Sequence, residues 1–144
     1  MGFSYGSQGF ILILVAVSLL ALGDAKTVVV GGSQGWRYGF NYTHWTLKNG
    51  PFYIKDTLVF KYDPPSNTRA HDVYLLPNLW SYITCDFRRA KLLANGTQGG
   101  GEGFKFVLNQ WRPHYLACGQ GANSSHCNQG LMKFFAVPWP RWHF

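Results

Sequence analysis

The sequence predicts an all-β fold, a sandwich or barrel, behind a cleavable N-terminal leader. Three observations carry that reading: seven short segments rich in Val, Phe, Tyr and Leu, clusters of Gly, Asn and Pro between them, and one isolated apolar run at the start. The expected strands are 27–30, 57–62, 71–76, 91–94, 103–108, 114–117 and 131–137. Within 57–62, Leu58, Phe60 and Tyr62 alternate with Thr57, Val59 and Lys61, which fits a sheet covered mainly on one side. Turn signals fall between the strands at Gly31-Gly32, Asn49-Gly50-Pro51, Asp63-Pro64-Pro65, Asn95-Gly96 and Gly99-Gly100-Gly101. A single short helix is expected over 78–84, with Asn78 capping a turn after Pro77 and delivering Cys85 to a partner.

The apolar run is 10–22, FILILVAVSLLAL, too short to span a bilayer. Gly23 and Ala25 supply small residues at the two positions a signal peptidase reads, which places cleavage after Ala25 even though 1–9 carries no Lys or Arg. The expected division is a signal peptide over 1–25, one domain over 26–137 and a short tail over 138–144. That tail lacks the long hydrophobic stretch of a lipid-anchor signal. The expectation is a secreted monomer without a membrane span or GPI signal, in the apoplast or cell wall or peripheral at the plasma membrane.

Composition narrows the classes further. With 144 residues, 47% apolar, 17% aromatic and 13% charged, the chain is neither disordered nor a coiled coil, and it is long enough for one real core. Thirteen Lys and Arg against six Asp and Glu give a net charge of +7, yet only Arg88-Arg89 are adjacent. Scattered charge of this kind suits a solvated face and argues against nucleic acid as a partner. Asn41-Tyr-Thr, Asn95-Gly-Thr and Asn123-Ser-Ser each fit the N-glycosylation pattern, so a glycoprotein is expected.

There are three cysteines, Cys85, Cys118 and Cys127, and an oxidising compartment pairs two and leaves one over. Cys118, His126 and Met132 lie in one glycine-rich stretch and offer thiolate, imidazole and thioether, the donor types copper prefers. His71, at the entry of an apolar strand after the polar loop 64–69, supplies a second imidazole.

Val29-Val-Gly-Gly-Ser-Gln-Gly-Trp36, Tyr42-Thr-His-Trp45, Lys55-Asp-Thr-Leu-Val-Phe-Lys-Tyr62, His71-Asp-Val and His126-Cys127 occur in that order. In this set the chain resembles the phytocyanins, the plant family of secreted blue copper proteins that includes plantacyanins, stellacyanins, uclacyanins and early nodulin-like proteins. The resemblance covers nearly all of 26–137. It implies a cupredoxin fold, a Greek-key sandwich of two sheets with one type 1 copper at its end. It also implies metal ligands at His71, Cys118 and His126, and a disulfide between Cys85 and Cys127. Neighbours in an extended segment point to opposite sides, which agrees with His126 facing copper and Cys127 the bridge. The implied function is single-electron transfer with a small redox partner, not enzyme catalysis.

Two features depart from the family pattern. The spacer Gly119 to Ser125 is seven residues, longer than usual, which implies a softer loop in which a glycan on Asn123 would shield the metal. The axial position falls on Leu131, with Met132 one residue further. A regular strand turns Leu131 to the metal and leaves three ligands, whereas a bulge brings Met132 to it. The longer loop also favours the rival reading, a copper-free extracellular binding or structural module of the cell wall or cell surface. Zinc on the same donors is a weaker reading for a secreted, disulfide-bearing chain with this family pattern, and a Cys118 hydrolase is weaker still, because neither a local signature nor an orienting third group accompanies the thiol. His44, His114 and His143 read as surface or hydrogen-bonded side chains, Trp36 and Trp45 as core, and Trp111, Trp139 and Trp142 as a contact patch.

Overall fold

A computed structural model of the protein describes residues 24–141; the apolar run of the expected leader, Trp142 and His143 lie outside that range. The alternation in β2 (Thr57–Phe60) builds the middle strand of one sheet, pairing parallel with β1 (Thr27–Val29) and antiparallel with β5 (Phe104–Val107). Val59, which alternation assigns to the outer face, is buried too. The second sheet is antiparallel throughout, in the order β4 (Lys91–Ala94), β3 (Val73–Leu76), β6 (His114–Ala117), β7 (Lys133–Ala136). The chain leaves the second sheet after β4, crosses to the first for β5 and returns beside β3 as β6. This is a Greek-key sandwich.

Aromatic packing holds the sheets face to face. Phe60 of β2 and Phe134 of β7 stack with ring centroids 6.0 Å apart, and the edge of Trp36 meets both at 5.1 and 6.0 Å. Each such pair contributes on the order of 1 kcal/mol beyond the area it buries.

Two helices were not expected from the sequence. Helix α1 (Tyr42–Asn49) starts where the Asn41 side chain accepts from the main-chain N–H of His44 at 3.0 Å. Its buried residues, Tyr42 and Trp45, lie three apart on one face and pack against Phe134. The expected helix is present as α2 (Leu79–Thr84), with the Asn78 side chain accepting from Ser81 N–H at 2.8 Å. The spacer expected to be soft is instead folded: a 3₁₀ turn over Ala122–Ser124 runs into α3 (Ser125–Asn128).

Residues 138–141, counted with the tail in the sequence reading, pack onto the domain. Trp139 N–H donates to the Phe52 carbonyl at 2.8 Å, and its own carbonyl accepts from Ile54 N–H at 2.9 Å. Pro138 is buried, while Trp139 and Trp111 are exposed.

Candidate metal centre

Three segments converge at one end of the sandwich. His71 sits two residues before β3, Cys118 directly after β6, and His126 inside α3. His71 and Cys118 are buried, and His126 is half-buried. The Cys118 Sγ lies 3.5 Å from His126 Nδ1 and 3.9 Å from His71 Nδ1, and the two Nδ1 atoms are 3.2 Å apart. A cation about 2.0 Å from two imidazole nitrogens and about 2.3 Å from a thiolate, centred among them, sets separations of about 3.5 and 3.7 Å. The donor triangle therefore fits a single ion, and one soft sulfur with two imidazoles is a set that suits copper.

Burial sets the electrostatics of these groups. It pushes the Cys118 thiol up to about 12, and the carboxylate of Asp72 adds to the rise. It lowers His71 to about 4, helped by the nearby charges of His126 and Arg69 and opposed by Asp63. His126 is also lowered by burial, against the pull of Asp72. Both rings are thus neutral at pH 7 and free to donate a lone pair, while the thiol must release its proton to solvent for its sulfur to hold a cation.

Asp72 holds the two ligand segments together. Its Oδ1 accepts from Gly119 N–H at 2.7 Å, its Oδ2 accepts from Gln120 Nε2 at 2.6 Å, and its carbonyl accepts from Trp36 Nε1 at 2.9 Å. Sequence reasoning missed this residue; the available signal was a carboxylate standing next to a ligand at the mouth of an apolar strand. Gly121, with φ +87°, is also required where it stands. A Cβ there would overlap the Ser125 hydroxyl and come within 2.8 Å of the His126 ring.

The Cys85–Cys127 disulfide is present, with Cα atoms 6.0 Å apart. His126 and Cys127 diverge because they are helix neighbours, about 100° apart around the axis, and not because they alternate along a strand. Cys127 packs with Leu76, Cys85 and Ala117 in a second small core.

Between α3 and β7 the backbone is neither the regular strand nor the bulge expected at Leu131 and Met132. Leu131 adopts a left-handed φ of +58°, so the chain kinks before β7 begins at Lys133. Leu131 is 46% exposed and Met132 is fully buried beside Cys118 in the main core. The main chain of Met132 accepts from Cys118 N–H at 3.0 Å and donates to the His126 carbonyl at 2.9 Å, tying it to both ligand segments.

The other residues singled out in the sequence lie apart. His44 is exposed on α1. His114 is buried rather than at the surface, and its Nδ1 has no hydrogen-bond partner among the described residues. Asn41, Asn95 and Asn123 are all exposed. Trp36 and Trp45 are core.

Comparison with known proteins agrees with this architecture. Residues 36–131 match the family described as plastocyanin-like domain. Blue copper protein 1b of Medicago truncatula is 33% identical over 127 residues, covering 85% of this chain and 70% of its own. Among solved structures, cucumber basic protein, a blue copper protein, aligns at 28% identity with a TM-score of 0.59, over 78% of this chain and 98% of its own. Cucumber stellacyanin aligns with a TM-score of 0.65 at 22% identity, over 82% and 98%, and supports the fold alone. With a family match across two sheets and their ligand segments, and a relative one-third identical over most of its length, the chain belongs to the plastocyanin-like family and, within it, to the phytocyanins.

Proposed function

We propose that this protein is an extracellular blue copper protein that carries single electrons, with His71, Cys118 and His126 holding one copper ion and Met132 as the axial neighbour. The observation that carries the reading is the convergence of one Sγ and two Nδ1 atoms, separated by 3.2–3.9 Å, from three remote parts of the chain. Phytocyanins of the blue copper type are electron carriers rather than enzymes, and the relatives named above carry copper in their names. When bound, copper supplies a one-electron couple between its two oxidation states.

The chain's own residues keep the donor set from rearranging. Cys118 follows a β-strand, Asp72 bolts its loop to the His71 segment, and the disulfide at Cys127 fixes α3, which carries His126. Fixed donors reduce the reorganisation that accompanies each electron hop. The His126 ring is half-buried, with Tyr38 against it at 5.4 Å, and is the side chain through which a small redox partner would exchange electrons. The mature domain begins at Lys26, after an N-terminal secretory leader, and the exposed Asn41, Asn95 and Asn123 are its glycan acceptors.

Addition of Cu(II) to the purified protein is expected to give the intense visible band of a thiolate-to-metal transition. Cys118→Ser should abolish it. Met132→Leu should keep the colour and raise the reduction potential, because an axial donor is lost while the volume is conserved, and Leu131→Ala should leave the potential alone. A colourless protein with an alkylatable Cys118 would establish the copper-free module instead.

A further inference from the structure

Asp56 is fully buried, and three donors hold its carboxylate. Oδ1 accepts from the main-chain N–H of Lys26 at 2.9 Å and from Arg141 Nη2 at 2.8 Å, and Oδ2 accepts from Tyr53 N–H at 2.8 Å. A buried carboxylate is costly unless charge and hydrogen bonds compensate it, and here one guanidinium supplies the charge.

Lys26 is anchored at every polar atom. Besides the bond from its nitrogen, its carbonyl accepts from Thr57 N–H at 2.9 Å, and its Nζ donates to the carbonyls of Asn49 and Pro51 at 3.3 and 3.0 Å. The Nζ also lies 5.1 Å from the centroid of the Phe52 ring. The two residues before it, Asp24 and Ala25, are exposed.

We propose that, once the leader is cut away at the Ala25–Lys26 bond, the α-ammonium released on Lys26 is bound by Asp56. The residues ahead of the bond, Gly23 and Ala25, have the small side chains a secretory endopeptidase reads. Hydrolysis breaks the C–N bond with one water: the hydroxyl goes to the Ala25 carbonyl, and the nitrogen takes a proton and, at neutral pH, a second. A neutral amide N–H beside the buried carboxylate thereby becomes an ammonium at the same nitrogen. Charge-assisted hydrogen bonds are roughly twice as strong as neutral ones. Maturation therefore adds to the fold an ion pair that the precursor lacks, and it joins the start of β1 to the segment carrying Arg141 through one carboxylate.

The inference rests on the secretory reading above but not on copper. Expressing the full chain in a eukaryotic host and sequencing the N-terminus of the secreted protein should give Lys26 first. A secreted chain that starts elsewhere overturns this proposal alone, whereas a chain that keeps its leader and stays in the cell overturns the secretory reading with it. The mature protein should then be compared with one retaining Ala25, each with Asp56 and with Asp56→Asn. Retaining Ala25 should lower Tm by roughly 3–6 °C when Asp56 is present and leave it unaltered in the Asp56→Asn background. An equal loss in both backgrounds overturns the proposal. If Asp56→Asn does not accumulate, Nα-acetylation of the mature protein gives the same decision: a Tm unchanged by acetylation overturns it.

Discussion

Asp72 shows how much one side chain contributes to positioning a metal site it does not itself face as a ligand. It adjoins His71 in sequence, and its carboxylate binds the two residues that follow Cys118. Removing such outer partners typically costs 10–100-fold in metal affinity. Asp72→Ala is therefore expected to weaken copper binding by about that factor in a competition titration against a chelator. Asp72→Asn should lose less, because its amide oxygen still accepts from Gly119 N–H while its amide nitrogen cannot accept from Gln120. The donor cluster was legible in part, since a thiolate and an imidazole in one glycine-rich stretch announce soft-metal chemistry. Asp72 was not, because a carboxylate beside a strand reads as solvated until the fold buries it. The burial of Met132 and the exposure of Leu131 were also beyond the sequence: they turn on a left-handed φ at Leu131, a conformation that a branched side chain does not advertise.

At the scale of elements, all seven expected strands form, each within its expected limits, because short apolar and aromatic runs bounded by turn residues mark them. Helix α1 was hidden because Asn41 carries two messages, a glycosylation triplet and a helix cap, and only the first was read. Helix α3 is four residues long, too short to show a helical period. It is held by the Cys85–Cys127 bridge, whose loop of 42 residues corresponds to about 4 kcal/mol of chain entropy. Strand β6 carries a different tension at His114. Burial lowers the affinity of this ring for a proton, Arg112 adds to the effect, and hydrogen bonds to the carbonyls of Ala136 and Arg112 oppose it. In the unfolded chain the ring titrates near its ordinary value of about 6.5. Below that pH the unfolded state binds more protons, so stability falls as pH drops and levels off only once the folded ring is protonated as well. His114→Phe removes the titration and the unpartnered Nδ1, and the new ring faces Phe106, whose ring centre is 5.8 Å from that of His114. The Tm difference between His114→Phe and the parent should therefore widen in favour of the variant between pH 7 and 5. A constant difference across that range would mean the folded ring is not depressed.

Across the whole molecule, charge and site meet at the ligand end. The chain carries +7, and the ligand rings border a cavity of about 450 Å³ lined by Arg37, Tyr38, Thr68, Arg69, His71 and His126. Among the described residues, the guanidinium groups of Arg37 and Arg69 line this opening and outnumber the one nearby exposed carboxylate, Asp63, so the field there favours anions. Other cations lie at the far end of the sandwich. Lys91 of β4 pairs with Leu75 of β3, while Ala94, at the other end of β4, pairs with Val73 close to His71. An anionic oxidant such as ferricyanide should accordingly take electrons from the reduced copper protein faster than a cationic cobalt(III) complex of similar driving force. Its rate should fall as salt rises, because screening over about 10 Å at 0.1 M weakens the attraction. Reversing both charges at the opening, Arg37→Glu with Arg69→Glu, should lower the ferricyanide rate about tenfold or more at low salt and raise the rate of the cationic complex. Lys91→Glu changes the net charge in the same direction from the distant end and should move both rates far less. Stopped-flow bleaching or recovery of the visible band measures all of these rates. Equal effects per charge reversed, with Lys91→Glu moving the logarithm of each rate half as far as the double variant, would mean that the molecule steers partners by its total charge, and that the arginines beside His71 and His126 have no special part in it.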